Sequence, residues 1–301
     1  MRDRSMKLPN DFQFSQGSLQ DYVDCPRRFQ LRYVERVAWP AIEAEPALEN
    51  ERYLQQGAAF HRLVHQHVLG MTPERLSSAV TDEDLRRWWR NYLENGPADL
   101  PPSRYPEIAL SGPVGHGRET GPSTGRETGP STGRLVAKYD LIGVDAGRRA
   151  VIVDWKTSRK RSRRKWLAER LQTKVYPYLL VRAGSHLNGG QPLEPEQVEM
   201  VYWFANFPGD PEHFSYNTAQ FEADGVYLAS LIDEIKREIE RPEGKDLPLT
   251  TQERRCRYCA YRSLCRRGVR AGLLDETEDE WELDDDFDIS LDFEQIAEID
   301  Y

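Results

Sequence analysis

The stretch that constrains this chain most runs from Tyr139 to Lys156: Tyr-Asp-Leu-Ile-Gly-Val-Asp-Ala-Gly-Arg-Arg-Ala-Val-Ile-Val-Asp-Trp-Lys. Two apolar, β-branched runs flank Gly147, a pattern that predicts a β-hairpin. With Gly147 at the centre of a five-residue loop, Val144 pairs with Ala150 and Asp140 falls opposite Asp154. Opposed residues share a face with Cβ atoms roughly 4.5–5.5 Å apart, and Lys156, further along the same strand, joins them by the period of two. Two carboxylates and an ammonium then converge at one end of an otherwise apolar hairpin. Carboxylates that close repel unless a cation sits between them, and oxygen donors suit Mg²⁺ or Mn²⁺. Taken alone, the trio fits a salt-bridged, solvated strand face equally well.

A chain of 301 residues can bury a core around such a hairpin, as one large domain or two small ones. Its net charge of −9 is unevenly spread. Residues 275–301 carry fourteen Asp and Glu and no Lys or Arg, so the remaining body has an excess of about five positive charges. No apolar run approaches the ~20 residues of a membrane span. Met1-Arg2-Asp3-Arg4 lacks the apolar core of a signal peptide, and a cytoplasmic protein without membrane contact is the expectation. The four cysteines are Cys25, Cys256, Cys259 and Cys265, three of them in a C-x2-C-x5-C cluster. In a reducing compartment this grouping points to a metal site ahead of disulfides. Four thiolates suit tetrahedral Zn²⁺ or an iron–sulfur cluster, and spacing does not choose between them.

Along the chain, Ser15 or Ser18 can cap a helix carrying Leu19, Tyr22 and Val23 on one side, and Pro26 ends it or starts the next. Phe29 and Tyr33 read as core. Residues 50–69 predict a helix with Leu54, Gly57, His61, Val64 and Val68 near one face. His61 and His65 lie four apart, but the segment His-Arg-Leu-Val-His lacks the Glu of a zinc protease. Thr81 is the expected cap of a helix ending at Asn95, with Trp88 and Trp89 in the core. A strand over 104–111 carries Glu107. Residues 117–132 repeat Gly-Arg-Glu-Thr-Gly-Pro-Ser-Thr twice, with no apolar side chain to offset the entropy of ordering, so 117–133 is expected to be a mobile loop.

Beyond Lys156 lie six cations in seven residues: Arg159, Lys160, Arg161, Arg163, Arg164 and Lys165. So close to the acidic pair, they suit contact with a phosphate backbone. Gln172 and Tyr176 share one face of the next helix, which Pro177 should kink. Strands over 198–205 and 213–216 and a helix over 218–241 follow. No Gly-x4-Gly-Lys-Ser/Thr occurs, so the chain is not a nucleotide-driven motor. The tail interleaves Trp281, Leu283, Phe287 and Ile289 with carboxylates, as a solvated tail does, or as a mimic of DNA over a basic groove would.

In this order, Ser-x2-Ser-Leu-x2-Tyr-x2-Cys-Pro-x2-Phe at 15–29, Gly57-x3-His61, Asp140, Asp154-Trp155-Lys156, Gln172-x3-Tyr176 and Cys256-x2-Cys259-x5-Cys265 resemble the PD-(D/E)XK nuclease superfamily. The nearest likeness is the RecB-like branch with an iron–sulfur cluster, which includes CRISPR-adaptation exonucleases and the nuclease domains of recombination helicases. The resemblance implies an α/β (α+β) fold, a mixed central sheet flanked by helices in a restriction-endonuclease-like core. It implies an N-terminal extension over 1–13, a nuclease domain over 14–270 whose two ends the cysteines join, and an acidic tail over 271–301. His61, Asp140, Asp154 and the Trp155 carbonyl would bind Mg²⁺ or Mn²⁺. Lys156 would orient the attacking water, and Gln172 and Tyr176 would support the site. Cys25, Cys256, Cys259 and Cys265 would hold a 4Fe–4S cluster, with structural Zn²⁺ as the alternative. The function implied is metal-dependent hydrolysis of DNA, as an exonuclease on single strands or ends in repair, recombination or defence. A helicase or other DNA-processing protein is the expected partner. The alternative is a non-catalytic nucleic-acid-binding or helicase-partner protein with a structural metal cluster.

Overall fold

In the computed structural model, which describes residues 7–37, 47–115, 133–241 and 246–268, the hairpin is strands β2 (Gly133–Asp145) and β3 (Arg149–Lys156). Val144 pairs with Ala150 as the pattern predicts, and Asp145 pairs with Arg149 as well, so the loop is tighter than five residues. Gly147 supplies the left-handed backbone of that turn, φ 76°, which costs a side-chain-bearing residue strain.

The sheet order is β1-β2-β3-β4-β5, with β1 Ser103–Val114, β4 Val198–Phe204 and β5 Glu212–Ser215. All neighbours are antiparallel except β3 and β4, which run parallel. A parallel pair needs a crossover. Here it is made by helices Arg164–Glu169 and Leu171–Ala183. In chain order the helices are α1 (Gln16–Asp24), α2 (Pro26–Phe29), α3 (Ala47–Val68), α4 (Pro73–Ser78), α5 (Glu83–Asn95), the crossover helices α6 and α7, and α8 (Thr218–Ile239).

Alternation along the strands divides the core in two. Ala150, Ile152, Met200 and Tyr202 face a cluster shared with α1, α7 and α8, whereas Val151, Val153, Trp155 and Trp203 face an aromatic-rich cluster with Phe60, Trp88 and Trp89 from α3 and α5. This is the mixed sheet with helices on both faces that was expected.

The alternation breaks once in each of β1 and β2. Tyr139 and Ile142 face the same cluster although three residues apart, and Tyr105 and Ile108 do likewise on β1. Between them lie Asp140 and Glu107, the latter at φ 52°, a left-handed backbone unusual for a non-glycine residue. Neither residue has a ladder partner between β1 and β2, so both strands change phase where these two carboxylates stand.

Ser15 caps α1 reciprocally with Ser18, and Pro26 opens α2. Val23 departs from expectation: it is exposed, while Leu19 and Tyr22 are buried. The cap of α5 is Asp82 rather than Thr81, its carboxylate accepting the Leu85 N–H at 3.0 Å. Helix α7 runs on through Pro177. Leu8 and Phe12 pack against the core ahead of residue 14. The tandem repeat at 117–132 and the acidic tail at 271–301 lie outside the described residues. Among those residues, no helix is long and apolar enough to cross a membrane.

Candidate active site

The register that opposes Val144 to Ala150 brings Asp140 level with Asp154, but the ladder ends one pair earlier, at Leu141–Val153. In its place the Asp140 carboxylate reaches across and takes the Trp155 N–H on Oδ2 at 2.8 Å. Its Oδ1 lies 3.1 Å from Nδ1 of His61, which α3 carries. The two oxygens of Asp140 are therefore fixed by a strand and by a helix.

Asp154 is buried, and Gln172 on α7 donates from Nε2 to its Oδ1 at 2.5 Å. The other face of the same amide accepts from Lys156 Nζ at 2.9 Å on Oε1. Lys156 Nζ also stands 2.8 Å from Asp154 Oδ2 and 5.3 Å from the centre of the Tyr202 ring. That ion pair is off the hydrogen-bonding direction, so Asp154 Oδ2 is a buried oxygen without a hydrogen bond. Tyr176 acts one step further out: its hydroxyl donates to the Lys138 carbonyl at 3.0 Å, and its own carbonyl accepts from Tyr139 at 2.9 Å. The helix turn carrying Gln172 and Tyr176 thus grips both strands of the hairpin.

Electrostatics separates the two carboxylates. Burial opposes ionisation of Asp140, but His61, the Trp155 N–H and Lys156 outweigh it and hold its pKa below the usual range. Burial dominates at Asp154 and, with the Asp140 charge, raises its pKa against the pull of Lys156. Burial also disfavours charged His61, yet Asp140 holds its pKa above the ordinary value. Two carboxylates placed this way, one of them disfavoured as an anion, suit a divalent cation. Among the described residues, the ligand atoms that converge within 4.8 Å of one another are those of His61, Asp140 and Glu107, and Asp154, paired with Lys156, is not in that group.

Glu107 is the residue that periodicity missed. Its phase-shifted backbone brings a carboxylate oxygen within 4.8 Å of ligand atoms of His61 and Asp140, and Lys138 pairs with it at 2.7 Å. The sequence placed Glu107 on a strand but gave no sign that it would turn toward Asp140.

The basic run divides. Arg161 Nη2 and Arg164 Nη1 both bind Glu212, at 2.7 and 2.6 Å, which ties the run to β5 and lowers the Glu212 pKa despite burial. Arg159 lies over the Tyr53 ring at 5.1 Å. Lys160 and Arg163 precede α6, and Lys165 stands in its first turn.

The cysteines gather from both ends of the chain. Burial, then the neighbouring thiols of Cys259, Cys25 and Cys265, push Cys256 up to about 11. Burial also raises Cys259, against the pull of Arg28, and Cys265, which feels Cys25. Around them, Arg28 pairs with Asp21 and Asp24, at 2.7 Å each. Arg255 reaches Asp24, and Tyr261 donates to the Val37 carbonyl at 3.2 Å. A metal or metal cluster would draw such thiols into thiolates, although among the described residues the group whose ligand atoms converge is His61, Glu107 and Asp140, with no cysteine in it.

A model of the PD-(D/E)XK nuclease superfamily matches residues 13–266. Among solved structures, the crystal structure of SSO0001 is similar with 13% identity and a TM-score of 0.38, covering 87% of this chain and 90% of that one. The Eubacterium rectale protein described as a "putative exonuclease" is similar with 10% identity and a TM-score of 0.47, covering 90% and 98%. No curated protein matches the sequence.

Proposed function

This chain belongs to the PD-(D/E)XK nuclease superfamily, and from that premise we propose that it is a Mg²⁺- or Mn²⁺-dependent deoxyribonuclease acting as an exonuclease on single strands or DNA ends. Membership gives a hydrolytic nuclease, a nucleic-acid substrate and the use of divalent metal ions. The observation that carries the finer reading is the convergence of ligand atoms of His61, Asp140 and Glu107 within 4.8 Å of one another, with the Asp154–Lys156 pair on the neighbouring strand.

His61, Asp140, Asp154 and the Trp155 carbonyl would hold the ion, with Glu107 alongside. When bound, it supplies a Lewis acid for the scissile phosphate and a more acidic water. Lys156 offers an ammonium to the attacking water and to the charge that grows on phosphate, and Gln172 sets its direction. Tyr176 keeps β2 in place through the Lys138 carbonyl. Arg159, Lys160, Arg163 and Lys165 would line the path of the phosphate backbone. Arg161 and Arg164 belong to the same stretch but chiefly anchor it through Glu212.

The cysteine quartet, in this reading, carries a 4Fe–4S cluster, as in the RecB-like branch, with one nuclease domain over 14–270 and the acidic tail over 271–301 beyond it. Support comes from the donor set and from motif order; a helicase or other DNA-processing partner rests on motif order alone. Iron and acid-labile sulfide in the purified protein favour the cluster, and stoichiometric zinc overturns it.

The test of function is an assay on end-labelled single- and double-stranded DNA and on RNA, with Mn²⁺ or Mg²⁺ and with EDTA. Metal-dependent release of nucleotides from DNA ends is expected. Cleavage of RNA alone would overturn the substrate, and binding without cleavage would leave a non-catalytic nucleic-acid protein.

A further inference from the structure

Helix α3 meets the catalytic end of the sheet at two points. One is His61 on Asp140. The other is Tyr53, two turns earlier, whose hydroxyl donates to the Thr157 carbonyl at 2.5 Å. Asn206, just beyond β4, binds the same carbonyl from Nδ2 at 3.1 Å and the next, that of Ser158, at 2.9 Å. Its Oδ1 accepts from Trp88 Nε1 at 2.9 Å and from Arg87 at 3.1 Å. An indole N–H can only donate, so the Asn206 oxygen must face α5 and both amide hydrogens must face the loop. One step upstream, the Ala205 N–H holds the Lys156 carbonyl at 2.7 Å.

Three successive carbonyls, those of Lys156, Thr157 and Ser158, are thus held where the β3–β4 ladder stops at Lys156–Phe204. Chain that leaves a sheet normally frays within a residue or two. Here the strand end is braced by side chains from α3 and from the turn after β4. The Tyr53 ring, packed edge-on against Trp88 at 6.2 Å, also lies beneath the Arg159 guanidinium at 5.1 Å.

We propose that Tyr53 and Asn206 are positioning residues, a latch that fixes the strand end bearing Lys156 and, through the Tyr53 ring, the first cation of the basic run. The inference rests on the nuclease reading of Lys156. It divides Tyr53 into two parts. The hydroxyl acts on Lys156 and so on turnover, whereas the ring acts on Arg159 and so on substrate binding.

The test compares full-length wild type with Tyr53→Phe, Tyr53→Leu and Asn206→Asp. It measures kcat and KM on single-stranded DNA, and amide hydrogen exchange over 156–160 in metal-free protein. Tyr53→Phe should lower kcat about tenfold with KM within about twofold, since small misplacements of a reacting group are costly. Tyr53→Leu should show the same loss and also a several-fold rise in KM. Asn206→Asp, with the shape kept but an acceptor turned on two carbonyls, should lower kcat further. Exchange over 156–160 should quicken in Tyr53→Phe and Asn206→Asp and stay unchanged over 139–142. Wild-type kcat in Tyr53→Phe, or unchanged exchange over 156–160, overturns the latch. If wild type cleaves no nucleic acid, the nuclease reading fails, and the exchange result alone decides whether the latch exists.

Discussion

The carboxylate cluster around Asp140, whose ligand atoms converge, and the cysteine quartet around Cys25, proposed to hold a metal, are held together differently. At the first, hydrogen bonds from Trp155 N–H, His61 and Gln172 already fix Asp140 and Asp154, and Lys156 is seated between Asp154 and Gln172. At the second, the thiols come from the two ends of the chain, and burial, then the neighbouring thiols, raise the pKa of Cys256 and Cys265. What joins those ends otherwise is a polar seam: Arg28 with Asp21 and Asp24, Arg255 with Asp24, and the Leu247 N–H on Gln30 at 2.6 Å. The fold builds the first site, whereas in the proposed reading an ion or cluster completes the second. Removing metal should therefore cost activity at one and stability at the other.

The sharpest way to break this contrast is Asp154→Asn or Lys156→Ala. Either should lower cleavage by at least about 10³-fold while the thermal midpoint moves only a few degrees, which kinetics and calorimetry on the same samples would check. A large loss of stability in both would mean that the acidic cluster is structural. Cys259→Ser, or stripping the cysteine site with a chelator, should do the reverse. A tightly bound group contributes about 4 kcal/mol, so Tm should fall by roughly 10 °C, and activity should follow the folded fraction. Next in size, Glu107→Gln should weaken metal binding about 10- to 100-fold, with cleavage recovered at higher Mn²⁺. Unchanged metal dependence would make Glu107 only a partner of Lys138.

The smallest effect concerns Glu212. Its pKa lies below the ordinary 4.5 because Arg161 and Arg164 outweigh burial. A group with a lowered folded pKa stabilises above its unfolded pKa, and that stability fades as pH falls through the folded value. Glu212→Gln should thus cost about 1 kcal/mol at pH 7, discounted because Arg164 is more than half exposed. In urea titrations the gap should close toward pH 3. A gap independent of pH would show that shape, not charge, holds the basic run to β5.

The hairpin was legible because its signals are local: a glycine turn and two β-branched runs give the Val144–Ala150 register and the strand positions of Asp154 and Lys156, whereas Asp140 stands at the break in alternation, outside the ladder. Gln172 and Tyr176 were legible as one helix face, although which strands they grip was not. Glu107 was not legible, because its left-handed backbone shifts β1 and β2 out of strict alternation, and periodicity counts only regular strands. The division of the basic run was hidden too, since Glu212 lies about fifty residues downstream and reaches Arg161 and Arg164 only through the β4–β5 hairpin. Val23 misled for a simpler reason: an apolar residue beside a helix stripe need not belong to it, and single exposed apolar side chains are common.

The most direct measurement is an anomalous difference map from crystals of the chain soaked in Mn²⁺. A single strong peak against Asp140, Asp154 and His61, lost in Asp154→Asn crystals of the same form, is the result this account predicts. A peak elsewhere, or none at saturating Mn²⁺, would contradict it.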